Sequence, residues 1–580
     1  MATLGVWAPA ARRVAALVDG ARVELNADAD GWWRADKAVQ HGSDYGFLLD
    51  EGDDLLPDPR SRWQPQGVHG PSRAYDDELF EWTDDAWRGV ALPGSIVYEL
   101  HVGTFTPEGT LDAAIERLGH LVDLGVDLVE LMPVGAFPGT HGWGYDVVHP
   151  FAVHQPYGGP DALKRFVDAC HRRGLGVVVD VVYNHLGPSG NYLPSFGPYF
   201  TDKHHTPWGA AVNVDDEGST EVRRWIVDNA LMWLRDYHVD GLRLDAVHEL
   251  VDDSEEHVLS QLAREVDALA TSVRRPLVLI AESDLNQPDM VTPREGGGLG
   301  MTAQWSDDFH HALHTLFTGE GQGYYADFAA DPFAALRTTL TEAFFHAGTW
   351  SSFRDAEHGE SVDTMRLPGH RFLGYLQDHD QVGNRATGDR ITATISPELA
   401  KVAAALVLTS PFTPMLFMGE EWAASTPWQY FTDHQESELA VAVRDGRRRE
   451  FAAHGWAAED VPDPQDPATV ERSRLDWSEV SREPHASQLD WHRRLIALRK
   501  ATPELADPRL DLVQVRYDGS ARWVAVERGE LRVVCNLADS EQSVPLERVP
   551  SELLLASEAV SLTDSAALTL PRESVAVVRL

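Results

Sequence analysis

Four apolar runs of this chain end in side chains that can hold or pass a proton. Gly241-Leu242-Arg243-Leu244-Asp245 ends in a carboxylate, as do the runs closing on Glu282 and on Asp378-His379-Asp380, while Val177-Val178-Val179-Asp180 continues to Asn184 and His185. Taking carboxyls out of water beside apolar strands is costly unless they are paired or used. A lone strand-end Asp is more often a helix N-cap or an arginine partner than a reacting group. Four strand ends carrying Asp, Glu, Asn and His together exceed that explanation. The chemistry open to such a set is attack by an ionised carboxylate and proton transfer by a protonated one. Arg243, two residues before Asp245 and on the same side of a strand, favours the anion there.

The elements that must position these groups follow a βα rhythm. Strand candidates fall at 96–100, 128–132, 176–182, 241–244, 278–281, 301–305, 371–376 and 415–418, with amphipathic helical stretches at 111–124, 162–173, 220–237, 255–268 and 397–408 between them. Eight strands predict a (β/α)8 TIM barrel, in which reacting groups sit at the C-terminal strand ends. Before it, residues 1–90 read as a small β-sandwich (4–49) followed by a connector rich in Pro and Gly; the barrel with loop insertions spans 91–505; and 506–580 returns to strand alternation as a second β-sandwich. The acidic run Asp252-Asp253-Ser254-Glu255-Glu256 reads as a solvated helix start.

Residues 180–185, 241–248, 281–283 and 379–380 match, in order and spacing, the four short signature regions of the α-amylase family of glycoside hydrolases, and the chain resembles that family over nearly its whole length. The resemblance implies that Asp245 is the nucleophile, Glu282 the general acid and base, and Asp380 the third carboxylate that orients substrate. It further implies that His185 and His379 bind hydroxyls of the sugar at the cleaved bond, that Tyr145 stacks on its ring, and that Arg243, counted with the substrate-binding set, holds Asp245 ionised. Asp180 and Asn184 would support the site. Asp378 stands where many relatives carry Asn and is expected to add negative charge that raises the acid's pKa. Such an enzyme uses two carboxyls roughly 5 to 5.5 Å apart and retains anomeric configuration.

The same three carboxylates serve hydrolases, branching transferases and debranching enzymes, so finer signals must come from elsewhere. The segments Gly5-Val6-Trp7-Ala8-Pro9, Leu56-Pro57-Asp58-Pro59, 66–72, 304–312 and Gln381-Val382-Gly383-Asn384-Arg385 are similar to maltooligosyltrehalose trehalohydrolases. That resemblance implies hydrolysis of the α-1,4 bond joining a maltooligosyl chain to a terminal trehalose, with maltooligosyltrehalose or a related α-glucan as ligand. Asp307, Asp308, His310 and His311 have two readings, recognition of the trehalose end or a structural network. Trp143, Trp305 and Trp422 are candidates to stack on sugars, although a chain with 18 tryptophans places most of them in its core. Two other readings stay open: a 1,4-α-glucan branching or debranching enzyme, and a non-catalytic glucan-binding protein on the same scaffold.

Composition narrows the partners. With 49 Lys+Arg against 91 Asp+Glu the formal charge is −42, a field that repels nucleic acid and anionic lipid but not a neutral sugar. Hydrophobic residues at 43% allow a substantial core. Two distant cysteines, Cys170 and Cys535, indicate neither a disulfide framework nor a zinc site, and suit a reducing cytoplasm. The most apolar stretch, 402–418, is interrupted by Thr, Ser and Pro and falls short of a membrane span, and the N-terminus lacks an export signal. No cofactor and no metal is expected, since cleavage by paired carboxylates needs no Lewis acid; calcium, bound by some relatives, is compatible with the acidic loops.

Overall fold

The computed structural model describes residues 2–452, 457 and 460–580. Eight parallel strands close into a barrel: β1 (Val97–Leu100), β2 (Leu128–Leu131), β3 (Gly176–Val181), β4 (Gly241–Leu244), β5 (Val278–Ala281), β6 (Ala303–Trp305), β7 (Phe372–Gly374) and β8 (Thr413–Phe417). Each pairs with its neighbour in chain order, and β8 closes on β1 through Met415, Leu416 and Phe417 against Val97, Tyr98 and Glu99. Strands β1 to β5 are buried throughout, because helices cover the outside and side chains fill the inside. Gly241 is required where β4 approaches β5: a Cβ there would lie 2.2 Å from Val278 Cγ2.

The eight expected strands are the eight observed, with β6 and β7 shorter than the sequence suggests. The helix expected at 111–124 is two, Leu111–Ile115 and Leu118–Leu124. The helix Pro397–Leu408 is as expected, its N-terminus capped by Ser396, whose side chain accepts from the Leu399 N–H. The acidic run before the helix Val258–Val273 is not simply solvated. The Asp252 side chain is buried, pairs with Arg223 at 2.9 Å and accepts the Val258 N–H at 2.6 Å, so it ties this helix to its neighbour Ser219–Asp236.

Two antiparallel sheets precede the barrel, one ordered Ala2–Trp7, Trp32–Val39, Asn26–Ala27 and one ordered Ala21–Glu24, Val14–Val18, Asp44–Leu49, Ser72–Arg73. The connector then crosses the barrel wall, held by Trp87 Nε1 on Asp240 (2.7 Å) and by Lys164 Nζ on Asp77 (2.8 Å). After the helix His485–Ala501 comes a five-stranded antiparallel sheet ordered Val513–Asp518, Trp523–Arg528, Leu531–Asn536, Ser574–Arg579, Glu552–Ala556. A two-stranded sheet, Gln542–Pro545 with Ala567–Leu570, packs on it through Val544, Leu568 and Leu570. Among the described residues no helix is long and apolar enough to cross a membrane.

Candidate active site

A cavity of about 420 Å³ opens at the C-terminal mouth of the barrel, and Asp245, Glu282 and Asp380 all line it, together with Tyr145, His185 and His379. Residues separated by up to 235 positions thus face one space, because each follows a barrel strand or sits in the loop behind one.

One guanidinium organises two of the carboxylates. Arg243, fully buried on β4, places Nη1 at 3.0 Å from Asp245 Oδ1 and 2.7 Å from Asp180 Oδ2, and Nη2 at 2.7 Å from Glu282 Oε2. Its flat face lies on the Trp305 ring at 4.3 Å, which removes water from the other side of the fork. The second Asp245 oxygen accepts from Asn184 Nδ2 at 2.8 Å, and the same amide holds the Asp245 carbonyl at 2.7 Å. Both Asp245 oxygens are thus engaged by donors. Ala246, the next residue, takes φ +36°, a strained value for a non-glycine, and donates its N–H to Glu282 Oε2 at 2.8 Å. Burial pushes the Glu282 carboxyl up; Arg243 opposes this and Asp245 adds to it.

Asp380 sits in the short helix His379–Gly383 after β7 and accepts from Asn384 Nδ2 at 3.0 Å. Tyr145 stacks on His379 at 5.1 Å, and its hydroxyl reaches Asp180 at 2.7 Å and His379 Nε2 at 2.8 Å. The turn that delivers Tyr145 needs Gly144, at φ +103°, where a Cβ would meet the Pro133 carbonyl at 2.6 Å. His185 lines the cavity with Nε2 on the Tyr145 carbonyl at 3.0 Å, and burial lowers its pKa to about 4, so it is neutral at ordinary pH.

Several expected substrate contacts are placed elsewhere. Arg243 lies beneath the carboxylates rather than facing the cavity, and Trp305, 2% exposed, is its platform, not a sugar platform. Trp422 is wholly buried between His120 and Trp477. Trp143 does line the cavity. The 307–311 cluster is knit inward: Asp308 accepts from Asn286 Nδ2 (2.8 Å) and the Phe345 N–H (2.7 Å), His310 bonds the Leu376 carbonyl and the Tyr325 hydroxyl, and Asp307 accepts from Tyr375. Of the two readings, the structural network is the one these bonds support. Burial lifts the Asp307 carboxyl to about 7. Asp378 also differs from expectation. It caps the helix His379–Gly383 through the Gln381 N–H at 2.7 Å, and burial beside Glu99 holds its carboxyl well above the usual range, which works against the expected negative charge.

Sequence reasoning missed Trp208, His248, Asn384, Tyr430 and Phe431, all of which line the cavity. Trp208, at the tip of the hairpin Phe200–Thr206 with Gly209–Val212, is 54% exposed and stacks on His185 at 4.2 Å. An exposed tryptophan in a Thr-Pro-Trp-Gly turn was the available signal. One group among the described residues has metal-ligating types within reach, His204, Asp215 and Asp253; Lys203 Nζ already lies 2.7 Å from Asp215 and 3.2 Å from Asp253.

Comparison with known proteins agrees with this geometry. The family described as alpha amylase, catalytic domain, matches residues 63–197, and a domain of unknown function matches 508–577. The chain is 55% identical to the malto-oligosyltrehalose trehalohydrolase of Arthrobacter ramosus, covering 93% of each chain. It is 52% identical to that of Mycobacterium tuberculosis (strain ATCC 25618 / H37Rv), covering 97% of this chain and 96% of the relative. A crystal structure of a putative alpha amylase from Salmonella typhimurium superposes with a TM-score of 0.91 at 38% identity, covering 100% of this chain and 97% of that one. On these grounds the chain belongs to the malto-oligosyltrehalose trehalohydrolases, within the α-amylase family of glycoside hydrolases.

Proposed function

We propose that the protein is a retaining glycoside hydrolase that cleaves the α-1,4 bond between a maltooligosyl chain and its terminal trehalose, releasing trehalose. In this reading Asp245 attacks the anomeric carbon of the glucosyl unit next to trehalose. Glu282 protonates the departing trehalose oxygen as the bond breaks. The glycosyl ester on Asp245 is then hydrolysed by a water that gives its proton to Glu282, which restores both groups and frees the shortened maltooligosaccharide. Asp380 hydrogen-bonds the sugar hydroxyls, and Tyr145, His185 and Trp208 shape the space around the ring.

The observation that carries the reading is Arg243 holding Asp245 and Glu282 on one fork at the wall of a cavity that Asp380 shares. That a trehalose-capped chain is the substrate rests on the relatives. A neutral glucan also suits a surface of formal charge −42, and the buried, unpaired Cys170 and Cys535 fit a cytoplasmic enzyme.

Incubation with maltooligosyltrehalose, followed by product analysis, tests the proposal. Free trehalose should appear with one new reducing end per cleavage, whereas a branching transferase conserves reducing ends and a debranching enzyme leaves this substrate intact. Asp245→Ala and Glu282→Gln should each lower release by roughly a thousandfold or more; normal turnover by either variant removes the assignment.

A further inference from the structure

Glu99 is buried on β1, beneath the cleft, and both of its oxygens go to one residue: Oε2 accepts the His379 backbone N–H at 3.0 Å and Oε1 meets His379 Nδ1 at 2.5 Å. On the far side of the ring, His379 Nε2 lies 2.8 Å from the Tyr145 hydroxyl, which has a single proton and directs it to Asp180 Oδ2 at 2.7 Å. Arg243 Nη1, 2.7 Å from that same Asp180 oxygen, fixes it as an acceptor. With Glu99 ionised, the directions close in only one way. The Tyr145 oxygen must accept from Nε2–H, and a Glu99 carboxylate must accept from Nδ1–H.

We infer that Glu99 is a positioning residue that keeps His379 a doubly protonated donor in the cleft, and that this cation sets the direction of the Tyr145–Asp180 hydrogen bond and faces Asp380. The role is exerted through His379, 3.9 Å from Asp380 Oδ1, and not by contact with substrate. The ionisable groups around His379 come from every side. Glu99 is on β1 and His101 just beyond it, Glu130 on β2, Asp378 and Asp380 on its own segment, Glu282 after β5, and Asp180 and Arg243 beyond Tyr145. Burial by itself would lower the imidazole's pKa; the Glu99 carboxylate, in contact with it, outweighs burial and lifts it to about 10. A neutral ring carrying its proton only on Nδ1 would instead invite the Tyr145 proton and release Asp180.

The role in catalysis rests on the hydrolase reading above, but the protonation state does not, so the test separates them. In protein labelled with ¹⁵N-histidine, the His379 resonances, identified by their loss in His379→Gln, should show both ring nitrogens protonated at pH 8. In Glu99→Gln the ring should be neutral there. A wild-type His379 that titrates near pH 6.5, or an imidazolium that survives Glu99→Gln, overturns the inference, and the wild-type titration decides even if the variant does not fold. For trehalose release, Glu99→Gln should lose about 25-fold or more in kcat/KM between pH 6 and pH 8, the fall in the protonated fraction of a histidine at or below its ordinary pKa, beyond any change in the wild type. The loss should vanish in the His379→Gln background. An unaltered pH profile contradicts the catalytic role; labelled spectra as expected with no trehalose formed would instead remove the hydrolase reading and leave the pairing.

Discussion

Replacing Arg243 by Met removes the cation between Asp245 and Glu282 while keeping apolar bulk on the Trp305 ring. The ion pairs measure 3.0 Å and 2.7 Å between nitrogen and oxygen. At a charge separation near 4 Å and an effective dielectric near 20, each pair is worth about 4 kcal/mol before neighbouring groups are counted. Neighbouring donors such as Asn184 remain and retain part of that interaction. The sign is the same for both groups: losing a cation favours the protonated form. The alkaline limb of kcat/KM, which the proposed role assigns to loss of the Glu282 proton, should move to higher pH. At the wild-type optimum the rate should fall by about 10- to 1000-fold and be partly regained on raising the pH. Breaking a buried pair costs about 3 to 5 kcal/mol of stability, so circular dichroism must first show a folded variant. The assay is trehalose release from maltooligosyltrehalose at a series of pH values. A folded variant with depressed activity and an unmoved alkaline limb would refute the claim that Arg243 sets the ionisation of this pair.

Other perturbations probe separate parts of the account. Asp378→Asn should leave kcat/KM and its pH profile within about twofold, because burial holds the Asp378 carboxyl well above the usual range and Asn still caps the helix His379–Gly383; a displaced acidic or alkaline limb would show that Asp378 carries charge. His149, buried with Nε2 on the Val68 carbonyl at 3.0 Å, has its pKa lowered to about 4 by burial. Its folded pKa lies below the unfolded value near 6.5, so its contribution is complete above pH 6.5 and is lost as pH falls towards 4. Across that window the stability advantage of wild type over His149→Gln should shrink by about 1.4 kcal/mol per pH unit, read from urea unfolding; a constant difference contradicts a neutral buried His149.

Much of this molecule is legible in its sequence because a barrel buries its strands on both faces. Val278–Ala281 is a continuous apolar stretch closed by Glu282, Gly241–Leu244 is apolar but for the inward Arg243, and both begin and end where expected. The catalytic constellation is legible for a related reason: residues directly after such runs point into the mouth, and the period of two puts Arg243 beside Asp245. What lies inside the barrel is not. Glu99 and Glu130 sit within Val97–Leu100 and Leu128–Leu131, where nothing in the local pattern tells an inward carboxyl from an outward one. Trp305 shows the converse, a strand-end aromatic that turns in beneath Arg243 instead of towards substrate. Tyr430 and Phe431 come from the long loop after β8, and Trp208 from a hairpin inserted after β3, whose placement over the cavity depends on tertiary packing. Asp308 and His310 are polar residues in a helix whose partners, Asn286 and Tyr325, come from other loops, so recognition and scaffolding cannot be told apart until those loops are placed.

The central claim is that Asp245 and Glu282 act as nucleophile and proton carrier on one glycosidic bond next to trehalose. Proton NMR of the first minutes of reaction with maltooligosyltrehalose tests it most directly. The account predicts that trehalose appears in step with a maltooligosaccharide whose new reducing end is first in the α configuration and only later relaxes to the mixture of anomers. A product that is first β, or substrate consumed with no trehalose released, would contradict it.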